Sequence, residues 1–170
     1  MKTKNLVFMA LLLGIGVVLH AVVPPFFFGM KPDMLLVMMF LGILLFPEKK
    51  HVLMLGLAAG LISAATTNFP GGQLPNVIDK TMTAYIFFGM LLIITKFRYS
   101  TVTAAILAAV GTLVSGTIFL TAAFYIVSLP APFLALFLSV VLPATIVNTA
   151  AIAVVYPITQ TIMKRSKLAY

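Results

Sequence analysis

The chain contains no cysteine, and only three of its 170 residues are acidic. The first absence removes disulfides, a thiolate nucleophile and any cysteine-ligated metal site. The second belongs to a general scarcity of charge: Asp, Glu, Lys and Arg make up 8% of the chain, against about 25% in an ordinary soluble domain. Eleven basic and three acidic side chains cannot form the polar shell that a water-soluble fold of this length requires. Also missing are the zinc-protease pattern HExxH, the nucleophile elbow GxSxG and a phosphate-binding G-x-x-x-x-G-K-[ST] loop, so no enzymatic motif emerges and this chain alone has no means of hydrolysing ATP. With no such motif, no cofactor is expected. His20 and His51 are too far apart in the topology derived below to pair around a metal.

What fills the sequence is apolar: 62% hydrophobic residues, with a mean hydropathy of +1.20. Runs such as "NLVFMALLLGIGVVLHAVV" are apolar on every face, whereas barrel strands alternate apolar and polar residues. An all-α integral membrane protein is therefore expected. Pro- and Gly-marked boundaries divide it into six segments: Leu6–Val23, Met34–Phe46, Val52–Thr67, Val77–Thr95, Thr101–Ser128 and Phe133–Met163. No linker or internal repeat is visible, which implies one transmembrane domain over residues 1–170. The basic N-terminus followed by an apolar run is similar to a signal peptide. However, the run exceeds the usual h-region of about 7–15 residues and "HAVVPP" is a poor cleavage site, so a first span is expected.

The net charge of +8 is spread in short clusters between apolar runs, a pattern of membrane topology and not of a nucleic-acid footprint. Lys2 and Lys4, then Glu48, Lys49 and Lys50, then Lys96 and Arg98, then Lys164, Arg165 and Lys167 fall on one side if every segment crosses. The other side carries Lys31, Asp33, the uncharged "NFPGGQ" and "LPAP". Both termini are thus expected in the cytoplasm. Two segments have awkward lengths. Met34–Phe46 would reach only about 20 Å as a helix, so it must begin near Pro32, be buried among neighbours or thin the bilayer; Thr101–Ser128, at about 42 Å, must tilt, project or break near "GTLVSG".

Asp79 and Lys80 stand near the outer end of the fourth segment, opposite charges in an apolar run. Asn76 after Pro75 makes a good N-cap, which would put Asp79 at N3, facing free backbone N–H groups. That accounts for Asp79 but not for Lys80, whose ammonium opposes the helix dipole and points about 100° away from its neighbour. Lys80 needs an anion from elsewhere: Asp33, a lipid phosphate reached by snorkelling, or the carboxylate of a ligand. A cap with a snorkelling lysine and a ligand site both remain open, and in the second case a zwitterion would find partners for both its charges.

Around this pair, "PPFFFGMKPD" joins three phenylalanines to Lys31 and Asp33, as an interfacial anchor or as a gate. Asn68, Phe69 and Gln73 could complete a lid, with the Gly pair giving their loop freedom. Small residues recur at helical contact spacing: Ala10 and Gly14; Gly56, Gly60 and Ala64; Ala108, Thr112 and Gly116. Asn148 lies one turn beyond a kink expected at Pro143, suited to an interhelical hydrogen bond or to a solute. Tyr85, Tyr125 and Tyr156 have the same two readings.

The arrangement of "MALLLGIGVVLHAVVPPFFFGMKPDMLLVMMFLGILLFPEKKHVLMLGLAAGLISAATTNFPGGQLPNVIDK" resembles the tryptophan transport protein (TrpP) family of Gram-positive bacteria, and the similarity runs nearly end to end. That family is similar to the S components of energy-coupling-factor transporters, small six-helix proteins that capture a nutrient from outside. The resemblance implies tryptophan import across the bacterial plasma membrane. In such a site Asp79 would hold the ammonium and Lys80 the carboxylate, with Asn76, Lys31, Asp33, Asn148 and Tyr85 as further contacts. It also implies a partner, an energy-coupling transmembrane protein with ATPase subunits. S components dock through an Ala-xxx-Ala pattern, which here becomes Ala10-Leu-Leu-Leu-Gly14. A secondary carrier for another aromatic or small amphoteric solute, and a non-transporting membrane partner subunit, remain the alternatives. The chain has no Trp, an economy that suits a protein made when tryptophan is scarce.

Overall fold

The computed structural model describes residues 3–22, 33–94 and 100–165, the side chains of 164 and 165 excepted. Lys2, the three phenylalanines 26–28, Lys31, Lys96, Arg98 and Lys167 lie outside the described residues. Within them every regular element is helical. The elements are α1 (Thr3–Val22), α2 (Met34–Leu45), α3 (Lys49–Thr66), α4 (Gln73–Ile94), α5 (Thr101–Ile126) and α6, which runs through Phe133–Leu136, a π-helical turn at Phe137–Val141 and then Leu142–Arg165. Helices α1, α4, α5 and α6 are long and apolar enough to cross a membrane. Over its described residues the chain is an all-helical, membrane-integral bundle of six helices.

The short α2 is the centre of that bundle. Asp33 caps it, its Oδ1 accepting the Leu36 N–H at 3.0 Å. Every side chain from Met34 to Leu44 is buried, and α2 touches all five other helices. Burial among neighbours is therefore how this segment escapes the need to span. The long α5 takes the opposite course. It runs unbroken through "GTLVSG" for 26 residues, about 39 Å of helix. Its end is set at Ser128, whose positive φ of 82° turns the backbone N–H back to the carbonyl of Ala123.

Glycines fix the close contacts. A Cβ on Gly60 would stand 3.1 Å from the Val77 Cα, and one on Gly56 would stand 3.2 Å from the Lys80 carbonyl oxygen, so α3 and α4 meet backbone to backbone. Gly111 on α5 leaves room for Phe40 and Phe87, stacked with ring centroids 4.1 Å apart. The α3–α4 loop, which the sequence suggested would be free, is instead seated: Gly71 adopts φ +71°, with the Val127 side chain where a Cβ would project. On α1 the small-residue row faces outward, with Ala10 and Gly14 exposed and nothing near the position of a Gly14 Cβ.

The break in α6 falls just ahead of Pro143. Leu142 donates its N–H to the Phe137 carbonyl, five residues back, and the widened turn accommodates a proline that has no N–H and would crowd the Ser139 carbonyl. The same turn carries Val141 into contact with Gly116 of α5.

Candidate functional site

Helix α4 begins at Gln73, four residues earlier than a cap at Asn76 would place it. Gly72 receives the Asn76 N–H at 3.0 Å and the Asn76 Nδ2 donates to the same carbonyl at 2.8 Å. Asn76 is thus inside the helix, and Asp79 lies nearly two turns from its start, where no backbone N–H among the described residues bonds its carboxylate. The capping explanation is overturned, because the Gly71–Gly72 turn starts the helix before Asn76.

The Asp79 carboxylate is fully buried and receives three side-chain donors: Lys80 Nζ and, at 2.9 Å, Ser115 Oγ on Oδ2, and Thr83 Oγ1 at 2.9 Å on Oδ1. Lys80 does not snorkel. Its ammonium is buried, contacts Asp79 and reaches Asp33 Oδ2 at 2.7 Å. Sequence spacing argued against direct pairing of Asp79 with Lys80, but the four-carbon lysine stem bends back far enough to make it. Two carboxylates around one ammonium leave the cluster with a formal charge of −1. By donor count, Lys80 retains one N–H, and both carboxylates retain acceptor capacity.

This cluster lies against a cavity enclosing ≈ 860 Å³ of atom-free space, part of it open at the mouth. All six helices contribute to the lining: His20 from α1, Asp33 and Leu36 from α2 and its cap, Ser63 from α3, Asn76, Asp79 and Lys80 from α4, Thr112, Ser115, Gly116, Phe119 and Leu120 from α5, and Val140, Val141, Ala144 and Asn148 from α6. Thr67, Asn68 and Phe69 close the α3–α4 side. Phe69 meets Phe119 edge to face, with centroids 5.3 Å apart. These residues belong to the end of the bundle opposite Lys49 and Lys50, the end that the charge pattern assigns to the outside.

Of the sequence-predicted residues, Asp79, Lys80, Asn76, Asp33 and Asn148 therefore converge on one cavity. Tyr85 does not: it is 42% exposed on the outer surface of α4, since its position turns it away from the face shared by Asn76, Lys80 and Thr83. Lys31 lies outside the described residues. Gln73 is exposed and outside the lining, and Phe87 packs into the core with Phe40. Tyr156 is buried and accepts from Gln160 Nε2 at 2.6 Å, whereas Tyr125 is exposed. The contributions of Ser63, Thr112 and Ser115 to the cavity went unread in the sequence. Thr112, Ser115 and Phe119 fall at i, i+3 and i+7 on one face of α5, and that stripe was the available signal.

A family model described as "Tryptophan transporter TrpP" matches residues 2–164. The chain is 54% identical over 166 residues to a probable tryptophan transport protein of Bacillus subtilis, an alignment covering 98% of this chain and 96% of that one. It is 45% identical over 156 residues to a protein of the same description from Clostridium acetobutylicum, covering 92% and 91% of the two chains. A third, from Clostridium perfringens, is 41% identical over 176 residues, covering 98% and 97%. No solved structure matches the chain. A match along nearly the whole length, with relatives well above the identity at which families are shared, means that the chain belongs to the tryptophan transporter TrpP family.

Proposed function

We propose that this protein imports tryptophan across a bacterial plasma membrane, taking the zwitterion from outside into the cavity bounded by all six helices. The observation that carries this reading is the Asp33–Lys80–Asp79 cluster, in which Asp79 and Lys80 are buried and Asp33 partly so, and whose formal charge of −1 stands beside the cavity. A buried excess charge is costly unless a partner compensates it. The ammonium of an amino acid is such a partner, held by Asp79 with help from Asp33, while the remaining Lys80 N–H and the Ser63 hydroxyl suit the carboxylate. Leu36, Val140, Val141 and Ala144 supply apolar walls for indole, and Leu120 with the Phe69–Phe119 pair covers the outer mouth above the charges.

Binding, occlusion and release involve no bond chemistry, so a transport role without enzymatic turnover is the reading we adopt. The exposed Ala10–Gly14 row supports an energy-coupling transmembrane partner with ATPase subunits, because the small residues leave α1 open to close helix contact from the lipid side. Isothermal titration of the purified protein with tryptophan tests the function directly: saturable binding is expected, weakened about 30-fold or more by Asp79→Asn in a protein that still folds. Co-purification of an ATPase pair in mild detergent would support the coupled form; accumulation of tryptophan by proteoliposomes of this chain alone under a proton gradient would replace it with a secondary carrier.

A further inference from the structure

We propose that Asn148 reads the indole N–H of the bound amino acid and is the residue that separates tryptophan from solutes of similar shape; this rests on the tryptophan reading of the cavity given above. Asn148 is fully buried on α6, in the wall of the cavity. Its Nδ2 donates to Thr112 Oγ1 at 3.4 Å, and the Thr112 hydroxyl in turn donates to the Ala108 carbonyl at 2.8 Å. A hydroxyl carries one proton. Once that proton is committed to Ala108, Thr112 can only accept, which fixes the asparagine amide with its nitrogen toward α5. The other end, Oδ1, then has no hydrogen-bond partner among the described residues although it is buried.

A buried amide oxygen without a donor is expensive and is a request for an N–H or O–H from whatever fills the space. Depth decides which part of the ligand supplies it. Along α5, Phe119 lies toward the outer mouth, Ser115 one turn below it and Thr112 nearly one turn deeper. Ser115 holds Asp79 and Thr112 holds Asn148, so the charged cluster and the amide occupy successive levels of the same cavity. A zwitterion placed with its charges at the upper level keeps them nearer water and sends its side chain toward Asn148, between Val141 and Ala144. Tryptophan carries one ring donor at that position. Phenylalanine has none, and leaves Oδ1 unpaired. Sites that satisfy a buried polar group through the ligand reject the analogue lacking that group far more strongly than shape alone allows.

The test uses the full chain in lipid nanodiscs, titrated with L-tryptophan and with 3-(3-benzothienyl)-L-alanine, in which sulfur replaces the indole N–H. The wild type is expected to prefer tryptophan by about 10- to 100-fold, the scale of one buried hydrogen bond. Asn148→Leu should abolish that preference by weakening tryptophan alone, retained benzothienylalanine binding itself showing that the variant folds. Thr112→Val, which removes the hydroxyl that orients the amide, should reduce the preference several-fold, and it decides the matter if Asn148→Leu does not fold. Parallel weakening of both ligands, or an unchanged ratio in the variants, overturns the role of Asn148 while leaving the tryptophan cavity standing. Binding of neither ligand by the wild type removes the tryptophan reading, and this inference with it.

Discussion

At the scale of single residues, the site is a problem of uneven charge. Lys80 has two carboxylates and each carboxylate has Lys80, so removing one member affects the others unequally. Lys80→Met leaves Asp33 and Asp79 facing each other without a cation, and breaking a buried pair in this way costs about 3–5 kcal/mol. The thermal midpoint should fall clearly, and adding Asp33→Asn to Lys80→Met should restore part of it, because one of the two stranded charges is gone. Asp79→Asn leaves the Lys80–Asp33 pair intact and removes the excess negative charge. It should therefore spare stability more than Lys80→Met does, yet weaken tryptophan by about 30-fold or more in a titration, the cost of truncating one side of a buried charged contact. An Asp79→Asn protein that binds tryptophan as the wild type does removes Asp79 from the site. The chemistry of Asp79 and Lys80 was legible in the sequence as two charges where none should be, and Asp33 was among the anions open to Lys80; the hydroxyl partners of Asp79 were not legible. Ser115 is 36 residues from Asp79, and only the crossing of α5 against α4 joins them.

Helices show the same division between what periodicity reveals and what packing decides. Six apolar segments and their order follow from composition, because a helix is the cheapest way to satisfy a backbone in lipid. The helical start at Gln73 does not, since Asn76 has the chemistry of a cap and only the left-handed turn at Gly71 displaces the start. Nor does the fate of α2, whose uniform hydrophobicity is equally consistent with lipid and with protein around it. The small-residue rows are alike in sequence but not in surroundings. Gly60 abuts the backbone of Val77, which cannot yield as a side chain tip does, so Gly60→Leu should cost about 1–3 kcal/mol or more and lower the yield of folded protein. Gly14→Leu should leave thermal stability and tryptophan affinity unchanged, because nothing stands near its Cβ direction. If an energy-coupling partner docks on α1, the same substitution abolishes its co-purification and stops uptake; unaltered uptake in cells carrying Gly14→Leu places the partner elsewhere.

At the scale of the molecule, a ligand held in a cavity lined by all six helices should tighten the whole bundle. Saturating tryptophan at about 100 times its dissociation constant adds about 2.7 kcal/mol to the folded state, a rise in melting midpoint readable by dye-based thermal unfolding in detergent. Which part of the ligand the cluster holds is decided by titrating the wild type with tryptophan, tryptamine and indole-3-propionate. These ligands share the indole and differ in carrying both charges, the ammonium alone and the carboxylate alone. With a cluster of formal charge −1, loss of the ammonium should be the more damaging change: indole-3-propionate should bind at least about 100-fold more weakly than tryptophan, and more weakly than tryptamine. Indole-3-propionate binding as tightly as tryptophan would rule this out, because the carboxylates of the cluster would then have no part in capture.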